Sequence, residues 1–247
     1  MSEALGWQFR SVAATDTGTV RKHNEDAYAD CPQLALWAVA DGAGGHEAGE
    51  VASSMLVDAI RTIPLALPAD ETLSQLRLRV AAVNQALRGE AARRGGHAVI
   101  ASTIVTLLIR GIHFVCLWVG DSRAYLLRDG VLTRITTDHS LVQELIDAGS
   151  ITEAEAESHP HANVITRAIG APDDSGEMDK VTGAVAAHDR FLLCSDGVTK
   201  AVADAELAGL LAAPANPAHV VITRAMQAGS RDNVTAVVID VLPQDTA

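Results

Sequence analysis

The chain has 247 residues, enough for one large domain with a full core. At 48% hydrophobic and 20% charged it reads as globular rather than disordered, and with aromatics at only 3% Val, Ile, Leu and Ala must fill the interior. The net charge of −12 argues against nucleic acid or an anionic membrane surface as a partner.

Met1 to Arg10 holds no apolar h-region, and no run approaches the roughly 18 apolar residues of a membrane span, so neither a signal peptide nor a span is expected. Cys31, Cys116 and Cys194 form no CxxC pair and read as buried, reduced thiols of a cytoplasmic protein.

Phe9 to Ala14 reads as a first strand and Asp16-Thr17-Gly18 as a turn, followed by a polar loop or strand end over Arg21 to Asp26. Leu34 to Ala40 is a short apolar run, read as a buried strand, that ends in Asp41 and opens into the glycines from Gly42 to Gly45. A helix follows over Gly49 to Ile60, and Pro64 and Pro68 break the chain. Leu73, Leu76, Val80, Val83 and Leu87 fall at helical steps, and Arg93-Arg94-Gly95-Gly96 ends that second helix. Thr103–Ile109 and Ile112–Val119 flank Arg110-Gly111 as a hairpin, and Ala124–Leu127 with Val131–Ile135 forms another. A short helix is expected from Ser140 to Ala148, then a long, partly mobile loop over Ser150–Ser175. Strands at Val181–Ala186 and Arg190–Cys194, helices at Asp204–Leu211 and Ala218–Ala228, and a strand at Val234–Val241 close the chain. The hairpins imply antiparallel sheets, so the expected class is α+β, in a single domain spanning 1–247 with its core at about 8–242.

Three apolar runs each deliver an aspartate at their exit: Asp41, Asp121 and Asp196. Asn24-Glu25-Asp26 and Arg231-Asp232-Asn233 flank them in the chain. Strands sharing one core could bring these acids to one rim, where clustered carboxylates need a cation. An all-oxygen set suits a hard ion such as Mg²⁺ or Mn²⁺. Other chemistries fit poorly. His46-Glu47-Ala48-Gly49-Glu50 lacks the second histidine of a zinc-protease helix, and Gly120-Asp121-Ser122-Arg123-Ala124 lacks the last glycine of a nucleophile elbow. Neither a P-loop nor a GxGxxG motif is present.

In order, Arg21-Lys22-His23-Asn24-Glu25-Asp26, Val39-Ala40-Asp41-Gly42-Ala43-Gly44-Gly45-His46, Gly120-Asp121-Ser122-Arg123, Ile165-Thr166-Arg167-Ala168-Ile169-Gly170, Cys194-Ser195-Asp196-Gly197 and Asp232-Asn233-Val234-Thr235 resemble the metal-dependent protein phosphatase family, protein phosphatase 2C or PPM, in its compact bacterial form. The resemblance implies a four-layer α-β-β-α sandwich of two antiparallel sheets flanked by helices. It implies a protein serine/threonine phosphatase that uses two tightly bound Mn²⁺ or Mg²⁺ ions and a weaker third. Asp41 would bridge two ions, Asp196 and Asp232 would complete the first, and Glu25 with the Gly42 carbonyl would serve the second. Asp121 would share the third with Asp196, with Asn163 approaching it. Asp26 would stand behind the ligands, and Asn233 accompanies Asp232 in its motif. The paired ions would acidify a water between them to hydroxide, which attacks phosphorus directly. Arg21 would hold the phosphate oxygens with its planar fork.

One departure from the family is Ala43, where many eukaryotic relatives carry a histidine acid and bacterial ones a methionine. The leaving-group proton would then come from metal-bound water, and His46 is assigned to packing or hydrogen bonding rather than catalysis. The expected partners are phosphorylated proteins and a cognate Ser/Thr kinase, with no nucleic acid or membrane, and the chain is expected to be a monomer. The alternative is a non-catalytic phosphoprotein-binding or regulatory module on the same fold, which would be expected to lack one of the acids.

Overall fold

A computed structural model describes residues 6–44, 48–95, 99–172, 174–212 and 215–244. Two antiparallel sheets carry the chain. One has the order β1 (Trp7–Asp16), β11 (Val234–Pro243), β10 (Arg190–Cys194), β7 (Arg123–Arg128), β8 (Val131–Arg134). The other runs β2 (Asp26–Cys31), β3 (Leu36–Gly44), β5 (Ile104–Arg110), β6 (His113–Val119), β9 (Asp179–Ala184), with β4 (Ile100–Ser102) paired to the end of β3.

The alternation of side chains along each strand builds four layers. In β3, Leu36, Ala38 and Ala40 pack beneath α1 (Ala48–Arg61) and α2 (Ala69–Arg93). Trp37 and Val39 point the other way, into the core between the sheets. In β10, Phe191 and Leu193 enter that same core. Leu192 and Cys194 instead face α5 (Asp196–Thr199), α6 (Asp204–Leu211) and α7 (Pro217–Gln227). Burial on both faces is why these strands read as unbroken apolar runs. The observed order is helix, sheet, sheet, helix, as expected from the sequence.

Most of the few aromatics are spent between the sheets, while Tyr125 lies on the other face, beneath α6. Phe9 meets Trp37, and Phe114 meets Phe191, each pair edge-to-face with centroids 5.2 Å apart. Both pairs cross from one sheet to the other. Trp37 is fully buried and donates from its indole to Asp30 at 3.0 Å, so truncation to alanine would cost about 3–5 kcal/mol. The three cysteines are free and buried. Among the described residues no helix is long and apolar enough to cross a membrane.

Several boundaries differ from those expected. β2 was not foreseen, because its sequence Asp-Ala-Tyr-Ala-Asp-Cys sets acids where a strand should be apolar. Those acids face the other sheet and are bonded there: Ser195 Oγ donates to Asp26 at 2.7 Å and Ser11 Oγ to Asp30 at 2.6 Å. The last strand before β10 begins at Asp179 rather than Val181. Within the expected loop Ser150–Ser175 lies a short helix, α4 (Glu153–Glu157), opened by a Thr152–Glu155 capping box. α3 (Leu141–Asp147) is N-capped by Ser140, as its sequence implies.

Candidate active site at one end of the sandwich

Trp37, Val39 and Asp41 share one face of β3, so the inter-sheet stripe ends in a carboxylate. Thr103 fixes the backbone there. Its N–H donates to the Asp41 carbonyl at 2.8 Å, and its hydroxyl accepts from the Asp41 N–H at 3.1 Å. Thr103 and Ser122 hydroxyls share a 2.6 Å bond, which ties the Asp41 turn to the Asp121 turn. Gly120 precedes Asp121 at φ +103°, and a Cβ there would lie 2.5 Å from the Thr103 side chain. Only glycine fits that position, and it aims Asp121 off the end of β6.

Glu25 stands immediately before β2. Its carboxylate accepts from the Gly49 N–H in the first turn of α1, where a helix favours negative charge. Its backbone carbonyl accepts from the Gly42 N–H at 3.0 Å. A Cβ on Gly42 would sit 2.1 Å from the Gly49 carbonyl oxygen, so the strand can approach the helix only as glycine. Asn233 joins three segments. Its amide donates to the Thr17 and His23 carbonyls at 2.8 and 3.0 Å, and its oxygen accepts from the Glu25 N–H at 2.8 Å. Asn233 therefore holds the backbone of the Arg21–Glu25 loop and does not line the cavity.

The result is one open cavity of about 840 Å³ whose lining includes Arg21, Glu25, Asp41, Gly42, Asp121, Asn163, Asp196 and Asp232. Asp26 lies beneath it, buried against Ser195. Asn163 is exposed at the rim. His46 lies outside the described residues.

Excess negative charge dominates this cavity. Burial pushes the Asp26 carboxyl up to about 7, and Asp196 and Asp232 add to the rise despite bonds from Ser195 and Thr235 that oppose it. Burial and the Asp196 carboxylate likewise raise Asp121 to about 7. Asp41 is held well above the usual carboxylate range by burial and by Asp26, Asp196 and Asp121. Burial raises Glu25 too. Among the described residues two cations form ion pairs with these acids. Arg21 pairs with Asp232 at 2.9 Å, and the Lys200 ammonium pairs with Asp196.

The oxygens invite a hard cation. Asp26 Oδ1 and Asp196 Oδ1 are buried without a hydrogen-bond partner, an uncommon and costly condition. Among the described residues no three acidic, histidine or cysteine side chains converge on one point as they stand. Asp232 and Asp196 are turned onto Arg21 and Lys200 instead. An all-oxygen set with raised proton affinities and orphaned oxygens fits Mg²⁺ or Mn²⁺ once those two ion pairs open.

Four supporting residues were missed from sequence. Ser122 and Ser195 follow strands and brace Thr103 and Asp26. Thr103 looked like an ordinary strand residue. Lys200 stands four residues after Asp196, a helical spacing that was legible once α5 is granted.

The sequence profile described as Protein phosphatase 2C matches residues 19–236. The serine/threonine protein phosphatase PstP of Mycobacterium tuberculosis is 40% identical over 239 residues, 96% of this chain but 46% of that protein, so the chain spans about half of its length. The serine/threonine phosphatase stp of Listeria monocytogenes is 36% identical, over 92% of this chain and 93% of its own. Among solved structures, PppA, described as a key regulatory component of T6SS in Pseudomonas aeruginosa, superposes with a TM-score of 0.85 at 42% identity, over 95% of this chain and 98% of its own. The catalytic domain of PstP in complex with two manganese ions superposes with a TM-score of 0.85 at 37% identity, over 96% of this chain and all of its own.

Proposed function

From the premise that this chain belongs to the protein phosphatase 2C family, we propose that it hydrolyses phosphoserine and phosphothreonine on proteins with divalent metal ions, opposing a Ser/Thr kinase. The observation that carries the reading is the meeting of Glu25, Asp41, Asp121, Asp196 and Asp232 in one cavity with Arg21 at its edge. These acids come from opposite ends of the chain and from both sheets. Their mutual repulsion has a purpose only if cations are bound there.

We assign Asp41 to both of two tightly held ions, Asp196 and Asp232 to one, and Glu25 with the Gly42 carbonyl to the other. Asp121 and Asp196 would take a weaker third, within reach of Asn163. When bound, paired divalent ions supply a water acidified toward hydroxide near neutral pH and neutralise phosphate charge. The protein's own groups do the rest. Arg21 holds two phosphate oxygens through its fork and fixes phosphorus for in-line attack. Asp232, which now pairs with Arg21, exchanges that partner for an ion. Asp26 takes no ligand role; buried and bonded to Ser195, it sets the spacing of the two sheets beneath the acids.

Phosphothreonine- and phosphoserine-peptide hydrolysis with and without Mn²⁺ tests the reading. Release of phosphate that EDTA abolishes and excess Mn²⁺ restores is the expected result. Full activity in EDTA would overturn it.

A further inference from the structure

Of the two cations that form ion pairs with these acids, Arg21 and Lys200, only Arg21 has a role in the reaction proposed above. We propose that Lys200 is a tethered cation of the outer acid pair, Asp121 and Asp196, and that it competes with the weakest-held divalent ion for that pair. The inference rests on the ion assignments proposed above.

The geometry starts from α5. Its backbone is short and regular, with the Lys200 N–H donating to the Asp196 carbonyl at 2.8 Å. That single turn stacks side chain i+4 over side chain i, so the ammonium reaches Asp196 Oδ2 and leaves Oδ1 of the same carboxylate buried without a partner. Lys200 lines the cavity with Asp121 and Asp41. Asp121 is itself buried and forms no ion pair among the described residues.

An ammonium is one positive charge on a flexible four-carbon stem. An outer divalent ion brings two charges and needs the Asp196 Oδ2 that Lys200 holds, while the unpartnered Oδ1 is left for the tightly held ion. The outer ion and the ammonium cannot share Oδ2, so each outer ion that enters must displace Lys200. The side chain is 41% exposed, so the ammonium has solvent to move into. Lys200 would thus keep the outer acids neutralised at low metal and make the last ion weak.

Calorimetric titration of Mn²⁺ into the chelator-stripped chain tests this, using wild type, Lys200→Met and Lys200→Arg, with thermal melts of each metal-free protein. Lys200→Met should tighten the weakest step by about tenfold or more, the scale of one screened unit charge a few ångströms away, and leave the tight steps in place. Its metal-free form should melt lower than wild type, while Lys200→Arg should follow wild type in both readings. A merely structural lysine would lower the melting temperature without tightening any step. A weak step that is unchanged or weaker in Lys200→Met, or absent from both proteins, would overturn the proposal. If wild type takes up no Mn²⁺ at all, the metal-dependent reading falls with it.

Discussion

Asp26 and Asp41 stand directly opposite each other across the β2–β3 ladder, at the end of the face that looks into the sandwich. Both carboxyls are held above the ordinary range, chiefly by burial. Two acids in register on a buried face are a standing electrostatic cost that only protons or metal ions relieve.

The metal-free protein should therefore lose stability as pH rises. Asp26 and Asp121 titrate near 7 when folded, against about 3.8 for a free aspartyl carboxyl, so between about pH 4 and 7 the folded state binds more protons than the unfolded state. Stability is then complete below the lower bound and declines up to the higher. Melts of chelator-stripped protein should give a lower Tm at pH 8 than at pH 5, and Mn²⁺ should restore most of the difference. A Tm that rises over this window would refute the account.

Arg21 should act on phosphate rather than on folding, since its guanidinium is half exposed and its partner Asp232 is partly exposed. Arg21→Ala should raise KM and lower kcat, because the same fork positions phosphorus. Arg21→Lys should recover only part of this. Unchanged kcat/KM in Arg21→Ala would reduce it to a surface charge.

Asp196 and Asp121 should separate by function. On the proposed assignment, Asp196→Asn takes charge from a tightly held ion and should cost several kcal/mol of transition-state stabilisation, so activity should fall by roughly 10³-fold or more. Asp121→Asn should keep two tight Mn²⁺ ions by calorimetry while turnover falls. Loss of the tight pair in Asp121→Asn would move that acid into the central site.

Asn233→Ala should strip partners from the Thr17 and His23 carbonyls and the Glu25 N–H at once. The expected cost is about 2–4 kcal/mol, read by denaturant unfolding. Mn²⁺ affinity should fall as well, because Glu25 would no longer be held in place. A variant that loses stability but binds Mn²⁺ normally would confine Asn233 to a structural part.

The sequence carried the central strands and long helices because their apolar patterning is strong. Residues 36–40 and 191–194 are buried on both faces and need no partner to be recognised. β2 escaped because Asp26 and Asp30 become intelligible only with Ser195 and Ser11, which lie far away in the chain. The acids of the cavity were legible as strand exits and by family resemblance. What holds them was not. The Thr103–Ser122 bond and the three anchors of Asn233 are tertiary facts with no local signature. Lys200 had a signature, but it lay in a helix of one turn that apolar periodicity cannot reveal.

β2 lies at the edge of its sheet, held to one neighbouring strand, and its two inward acids are fastened to the opposite sheet by serines. An edge strand is where a fold frays first. If β2 peels away, Glu25 and Asp26 leave together, and Ala29 and Cys31 leave the layer beneath α1, while β3, β5 and β6 keep their own pairing. Heating or mild denaturant should thus silence the molecule before it melts, and a calorimetric transition would overstate its working range.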